Sequence, residues 1–181
     1  MHYKPGVNYP DLIPLLRSLM RPMKFHQFHA GQVITAGPVL VTEAEVLAYA
    51  RAFDPQPFHV DPVAAARGPF GGLIASGWHT AALAMRLAVQ AALQDSDASA
   101  SPGLSYLKWP HPVRPGDELT LHAQVLETRT SRSRPELGLM RWRWTMVNQH
   151  GRTVLELEAT TTFDLGPVAA AGVVPAPESG A

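Results

Sequence analysis

Residues 68–93, GPFGGLIASGWHTAALAMRLAVQAAL, carry the strongest structural pattern in the chain. The stretch begins with glycine and proline and continues with strong helix formers that are apolar on nearly every side. A helix that is hydrophobic all round is normally buried. The sequence therefore predicts a buried central helix that begins at Gly77, with Ser76 as its N-cap.

The segment that precedes this helix predicts an extended stretch and then a capped helix. Residues 32–42, QVITAGPVLVT, have an extended pattern, and residues 42–53, TEAEVLAYARAF, change to helical spacing. Thr42 and Glu45 have the spacing of a capping box, which starts a helix. We therefore expect the second of these stretches to form a helix.

The loop FDPQPFHVDP, residues 53–62, is constrained at both of its ends. The X-Pro steps at Asp54 and Gln56 disfavour helical backbone and end the preceding helix. Asp61 followed by Pro62 predicts the start of another short helix, because Asp is a favoured cap and Pro is tolerated at the first helical position. Asp54 and His59 therefore lie in a rigid loop.

The remainder of the chain predicts an antiparallel sheet. A polar stretch, DSDASASPG, closes the central helix, and four strand patterns follow it at residues 103–110, 117–129, 136–149 and 152–163. NQHGR, at residues 148–152, fits a hairpin turn. A buried helix followed by a sheet that can wrap it is the order expected of an α+β hotdog domain.

The domain organisation follows from these patterns and from the length of 181 residues, which is typical of one globular domain. We expect an N-terminal extension at residues 1–31 that packs on the domain. The domain itself is expected at residues 32–164. Residues 165–181 are low in complexity and predict a disordered tail.

The composition excludes several classes of function. Fifteen basic and fifteen acidic side chains cancel, which gives no electrostatic reason to expect a nucleic-acid or anionic-membrane partner. The chain has no cysteine, so disulfides, thiolate nucleophiles and cysteine-ligated metals are excluded. The N-terminus lacks the form of a signal peptide, and no spanning segment is evident. The cytoplasm is the default expectation for its location.

Asp54 and His59 have the chemistry of an acid/base pair. Adding water to an activated double bond requires one group that accepts a proton from water and one that handles the proton at the neighbouring carbon. Gln56 lies between the pair and can hold the carboxylate or the water. The free amide at Gly77 can stabilise negative charge on a carbonyl oxygen. By spacing alone, the simpler interpretation is equally open: a capping aspartate and a core histidine.

The arrangement resembles the MaoC-type family of acyl-CoA dehydratases and (R)-specific enoyl-CoA hydratases, which have a hotdog fold. The resemblance covers roughly residues 32–164. It rests on Asp54, Gln56, Pro57 and His59, on FGGLIASGWHTAALAM at the central helix, and on PVRPGD at Pro112 to Asp117. Two positions depart from the family pattern. Gln56 stands where Asn is more usual, and Ser76-Gly77-Trp78 stands where many members have His-Gly-Met.

The resemblance implies hydration of 2-enoyl thioesters, or the reverse dehydration, on an acyl-CoA substrate. Asp54, His59 and Gly77 are then the expected catalytic residues, and Gln56, Ser76 and Trp78 the expected substrate-binding residues. No cofactor and no metal is expected, and the resemblance implies a homodimer or a larger assembly built from dimers. Two alternatives stay open: a hotdog thioesterase, which attacks the thioester carbonyl with water, and a non-catalytic acyl-CoA-binding hotdog.

Other candidate residues have both a functional and a structural interpretation. Trp78 at the helix start can wall a substrate channel or pack in the core. The basic run TRTSRSR, with Arg129, Arg132 and Arg134, can meet the phosphates of a nucleotide carrier or form an ordinary solvated loop. His79, on a buried helix, is expected to be structural. His26 and His29 lack companion ligands at a recognised metal spacing.

Overall fold

The computed structural model describes residues 23–167. Most of the predicted N-terminal extension and of the predicted tail therefore lies outside the described residues. The helical elements are a 3-10 turn at Phe25–Gln27, α1 at Glu43–Phe53, α2 at Pro57–Val60, α3 at Pro62–Arg67 and the central helix α4 at Gly77–Ala88, which continues as a π-helical turn at Val89–Leu93.

The helix starts follow the capping signals in the sequence. Thr42 accepts a hydrogen bond from the backbone of Glu45, whose carboxylate in turn accepts one from the Thr42 amide, so the predicted capping box is confirmed. The Asp61 carboxylate accepts the amides of the second and third residues of α3. Ser76 caps α4 and accepts a hydrogen bond from the Trp78 amide. Each cap satisfies a backbone donor that the helix itself leaves free.

Five strands form one antiparallel sheet in the order β1-β3-β4-β5-β2. Their bounds are β1 Val33–Leu40, β2 Ala98–Lys108, β3 Glu118–Thr130, β4 Leu137–Val147 and β5 Thr153–Asp164. The hairpin turn predicted at residues 148–152 joins β4 to β5. β1 and β2 are the two edge strands, and the sheet wraps α4 in the predicted hotdog arrangement.

β2 begins earlier than the sequence predicted, because the stretch assigned to a polar loop is already paired to β5 from Ala98 onward. Side-chain hydrogen bonds hold this serine-rich part of the strand in place. The Ser99 hydroxyl is 2.9 Å from the Thr162 hydroxyl, and the Ser101 hydroxyl donates to the Thr160 carbonyl at 2.8 Å. Because this stretch is rich in Ser, Pro and Gly, its sequence predicted a loop. In the structure it is a strand that cross-strand hydroxyl contacts stabilise.

The core lies between α4 and the inner face of the sheet. Leu83 and Leu87 of α4 pack in one cluster with large buried side chains of the central strands, among them Leu121, Trp142 and Phe163. Burial of side chains of this size contributes about 1.5–3 kcal/mol each to stability. The prediction that the central helix is buried is confirmed for the face of α4 that contains Leu83 and Leu87.

Backbone hydrogen bonds fix the segment that leads into α4. The Ile74 amide donates to the Phe58 carbonyl at 3.2 Å, and the Ala75 amide donates to the Val113 carbonyl at 2.8 Å. The first bond ties this segment to α2, and the second ties it to the loop before β3. The N-terminus of α4 is therefore held against the loop that contains Asp54 and His59. Among residues 23–167, no helix is both long and apolar enough to cross a lipid bilayer.

Candidate active site

Asp54 and His59 are brought together by the end of α1 and the short helix α2. Asp54 is the C-cap of α1, and its amide donates to the Ala50 carbonyl. Pro57 is the first residue of α2, and one turn of helix places His59 in the interior. The side chain of Asp54 is 19% exposed and that of His59 is 6% exposed, so the carboxylate reaches solvent more easily than the imidazole does.

The two side chains face each other with a defined pattern of donors and acceptors. His59 Nε2 lies 3.4 Å from Asp54 Oδ2. His59 Nδ1 lies 2.8 Å from the Ile74 carbonyl oxygen, which can only accept, so Nδ1 carries the proton. In the neutral imidazole Nε2 is then an acceptor that points at the carboxylate. A water molecule that lies to one side of both atoms can donate one hydrogen to each.

Two neighbouring side chains hold the Asp54 carboxylate. The Ser76 hydroxyl donates to Oδ2 at 2.7 Å, and the Gln56 amide donates to Oδ1 at 2.8 Å. The Ser76 hydrogen bond, followed by that of Gln56, lowers the pKa of Asp54 below its ordinary value, because both bonds favour the charged form. Gln56 and Ser76 were expected to bind substrate. In this structure both contact Asp54, and their hydrogen bonds favour the ionised carboxylate, which can accept a proton.

Replacing Ser76 by alanine is expected to raise the pKa of Asp54 toward its ordinary value, because the stronger of the two stabilising hydrogen bonds is lost. The acid limb of the pH profile of kcat/KM should therefore move to higher pH, since that limb reports the essential base in the free enzyme. Ser76→Ala also removes the cap of α4, at a cost of about 1 kcal/mol. Ser76→Thr keeps a hydroxyl and should restore the limb; an acid limb unmoved in the alanine variant would contradict this role.

Gly77 begins α4, and its amide has no hydrogen-bond partner among the described residues. The space where a side chain would stand is filled by Trp109: a Cβ on Gly77 would lie 2.6 Å from the nearest atom of the indole ring. Glycine is therefore required here by the indole, and a side chain at this position would displace it. The free amide remains available as a donor at the N-terminus of a helix, where the dipole favours negative charge.

A cavity of about 440 Å³ joins these elements. Asp54, Gln56, His59 and Gly77 all line it, and Trp78 forms part of its wall. Trp78 is 59% exposed, so the alternative in which it packs in the core is wrong. Its ring meets that of Trp109 edge to face, with 5.4 Å between the centroids.

Several residues of the cavity wall were not singled out from the sequence. They are Phe58, Phe70, Trp109 and His111, together with apolar side chains that include Ile74, Val113 and Val154. Trp109 and His111 directly precede the PVRPGD stretch. Their place in the segment WPHP, where prolines restrict the backbone, was the available signal.

Comparison with known families decides the classification of this site. A model of the MaoC like domain matches residues 24–139, which is more than half of the chain. The chain belongs to the MaoC-like family. Among proteins of known structure, a MaoC-like dehydratase from Rhodospirillum rubrum is 38% identical, with a TM-score of 0.73, over 79% of this chain and 97% of that one.

Two further relatives extend the comparison. The uncharacterised protein YdeM of Bacillus subtilis strain 168 is 33% identical over 136 residues, which cover 75% of this chain and 95% of YdeM. The structure of an (R)-hydratase from A. caviae involved in PHA biosynthesis matches with 27% identity and a TM-score of 0.60, over 74% of this chain and 96% of that one. The predicted hotdog fold and the resemblance are confirmed, and membership in the MaoC-like family supports a dehydratase-type enzyme.

Two other groups of candidates lie away from the cavity of this MaoC-like chain. His79 is buried with its ring stacked on Tyr49, the centroids 4.7 Å apart, and burial lowers its pKa because the charged form is disfavoured. This agrees with a structural role.

Arg129 and Arg134 lie near the β3–β4 connection, at the end of β5 opposite to Val154, and each pairs with a glutamate two residues away. Among residues 23–167, no three His, Asp or Glu side chains cluster as a metal site.

Proposed function

We propose that this protein adds water to 2-enoyl thioesters, or removes it from 3-hydroxyacyl thioesters, with acyl-CoA as the substrate class. The observation that carries the proposal is the contact between His59 Nε2 and Asp54 Oδ2, 3.4 Å apart in a cavity that also contains the free amide of Gly77. Membership in the MaoC-like family and the likeness to an (R)-hydratase support the reaction class.

In the hydration direction, the water that donates hydrogens to Nε2 and Oδ2 is the nucleophile. Its oxygen forms a bond to the β carbon as one of its protons passes to the pair. Electrons of the double bond move toward the thioester carbonyl, and the Gly77 amide donates to the oxygen on which negative charge develops. A proton then passes from the pair to the α carbon. The atoms balance without a cofactor, because one water adds and the pair ends in its starting protonation state.

Hydration of crotonyl-CoA, followed by the loss of enoyl absorbance, tests this proposal directly. We expect turnover by the unmodified protein and formation of 3-hydroxybutyryl-CoA, identified by chiral chromatography of the product. Release of free CoA thiol without hydration would identify the thioesterase alternative instead. Binding of crotonyl-CoA without either reaction would identify the non-catalytic alternative.

We also infer that the chain forms a homodimer through an exposed apolar stripe of α4. Trp78, Ala82, Met85 and Val89 recur at helical spacing and all are exposed, on the side of the helix opposite to its buried residues. Leu104 of the edge strand β2 is 49% exposed and pairs with the buried Ala159, so it lies on the helix side of the sheet. A second copy of the chain, with the same stripe, is complementary to this surface.

Met85→Glu is expected to convert the dimer to monomers, because it places a charge at the centre of the stripe, where the copies exclude water. Sedimentation equilibrium at micromolar protein concentrations measures the change. Gln90→Glu adds the same charge at an exposed position outside the stripe and should leave the dimer intact. A monomeric unmodified protein, or a Met85→Glu variant that remains dimeric, would refute this interface.

A further inference from the structure

Arg114 has an unusual environment among the arginines of residues 23–167. It is half-buried, whereas every other arginine in this range is exposed. Its guanidinium donates to the backbone carbonyl of Phe70, a residue of the cavity wall. No carboxylate among the described residues forms an ion pair with it, although Arg134 and Arg141 both have such partners. A partly buried cation without a counter-charge is costly, and an anionic ligand removes that cost.

The glycine-rich loop before the central helix is shaped to admit this side chain. Gly71 and Gly72 have φ values of +63° and +154°, which residues with a side chain rarely adopt. A Cβ on Gly72 would lie 3.1 Å from Nη1 of Arg114. The diglycine therefore lets the guanidinium lie across the loop, at the edge of the cavity.

Two more basic side chains are candidates for the same ligand: one lines the cavity, and the other directly precedes the loop in the chain. His111 lines the cavity, and its Nδ1 lies 2.9 Å from the Thr153 carbonyl oxygen, so Nδ1 donates and Nε2 is left for a ligand. Arg67 ends α3 immediately before the loop, is exposed, and has no carboxylate partner among the described residues. His111 lines the cavity, Arg114 contacts the carbonyl of the wall residue Phe70, and Arg67 precedes Phe70 by three residues; we call these three residues the basic rim.

We propose that the basic rim binds a phosphate group of the thiol carrier to which the acyl group is attached. This inference rests on the proposed function, because it supplies the carrier for the same cavity. The planar guanidinium of Arg114 has donors left to contact two phosphate oxygens, and Arg67 adds a second positive charge that suits a group with more than one negative charge. Trp78 also lines the cavity and is itself a member of the apolar stripe.

A series of crotonyl thioesters that differ only in the carrier tests the rim. The members are crotonyl-CoA, crotonyl-4'-phosphopantetheine and crotonyl-pantetheine, which has no phosphate. With Arg114→Gln we expect KM for crotonyl-CoA to rise about tenfold or more, with kcat nearly unchanged and with KM for crotonyl-pantetheine unaffected. Arg67→Gln should have the same pattern with a smaller change. An increased KM for crotonyl-4'-phosphopantetheine assigns the rim to the pantetheine phosphate, and an unchanged one assigns it to the nucleotide phosphates.

Arg134→Gln is the matched control, because it removes an exposed arginine that is paired with Glu136 at the opposite end of the sheet. Arg114→Lys keeps the charge and should retain part of the affinity. The inference is overturned if Arg114→Gln leaves KM for crotonyl-CoA unchanged, or raises KM equally for all three thioesters. If Arg114→Gln does not fold, Arg67→Gln decides by the same criterion.

The binding of CoA itself separates this inference from the proposed function. Isothermal titration with CoA and with pantetheine requires no turnover, and CoA should bind more tightly to the unmodified protein than to Arg114→Gln. A protein that binds CoA through the rim and hydrates no thioester refutes the reaction while supporting the rim. A protein that hydrates crotonyl-CoA and binds CoA with an affinity independent of Arg114 and Arg67 refutes the rim alone.

Discussion

Asp54→Asn is expected to lower kcat/KM for crotonyl-CoA hydration by at least about a hundredfold, the range for loss of a group that transfers a proton. Asparagine keeps the size of the side chain and removes the negative charge. The hydrogen bonds from Ser76 and Gln56 favour that charge in the unmodified protein, so the variant loses a proton acceptor that is ionised at neutral pH. Initial rates of enoyl absorbance loss over a range of substrate concentrations measure the effect.

Asp95→Asn is the control for this variant. Asp95 is exposed and has a positive φ of 57°, a conformation that asparagine tolerates, so the substitution removes one carboxylate without strain. Thermal unfolding of both variants shows whether the fold is retained. A folded Asp54→Asn variant with turnover within a few-fold of the unmodified protein would remove Asp54 from the mechanism.

The pairing of Asp54 with His59 could be predicted from the sequence because its determinants are local. The prolines at 55 and 57 end one helix and begin the next, and one short helical turn sets the distance between the two side chains. What the sequence could not show is which groups hold the carboxylate. Ser76 is 22 residues away along the chain, and its hydroxyl reaches Asp54 only because α4 packs against this loop.

Trp109 and Arg114 show the limit of sequence reasoning at this site more sharply. Both lie in the loop between β2 and β3, and both act on glycines far earlier in the chain. The sequence predicted a free amide at Gly77, but it gave no sign that the indole of Trp109 fills the space where a side chain would stand. Gly72 accommodates Arg114 in a similar way. Contacts of this kind form only when distant parts of the chain pack together. The local sequence around the glycine, or around its partner, therefore does not predict them.

The elements of the fold were predictable where the apolar pattern and the capping residues indicate the same element. They were less predictable where hydroxyl contacts, and not apolar side chains, hold a strand in place. The all-apolar stretch after Gly77 predicted the central helix, and Leu121 and Trp142 followed the alternation of their strands. The start of β2 was missed because Ser99 and Ser101 favour turns locally and pair with β5 only in the folded sheet. The exposed stripe of α4 also departs from the all-round burial that the composition indicated.

His59→Asn separates the structural role of the imidazole from its chemical role. The amide nitrogen of asparagine can occupy the position of Nδ1 and donate to the Ile74 carbonyl, as the imidazole does at 2.8 Å, while nothing replaces Nε2. We expect the variant to stay folded, with a melting temperature close to that of the unmodified protein. Its kcat for crotonyl-CoA hydration should fall by about a hundredfold or more, because Nε2 no longer accepts the proton of the attacking water.

The double variant Asp54→Asn, His59→Asn then decides whether the two residues act as one unit. If the two groups act on the same water, removing either one already abolishes most of the effect of both. The double variant should then be about as slow as the slower single variant. Independent roles predict that the two losses multiply. His29→Asn, at an exposed histidine outside the cavity, is the control for loss of an imidazole. Multiplied losses would contradict a water shared between Nε2 and Oδ2, and would assign the two side chains to separate proton transfers.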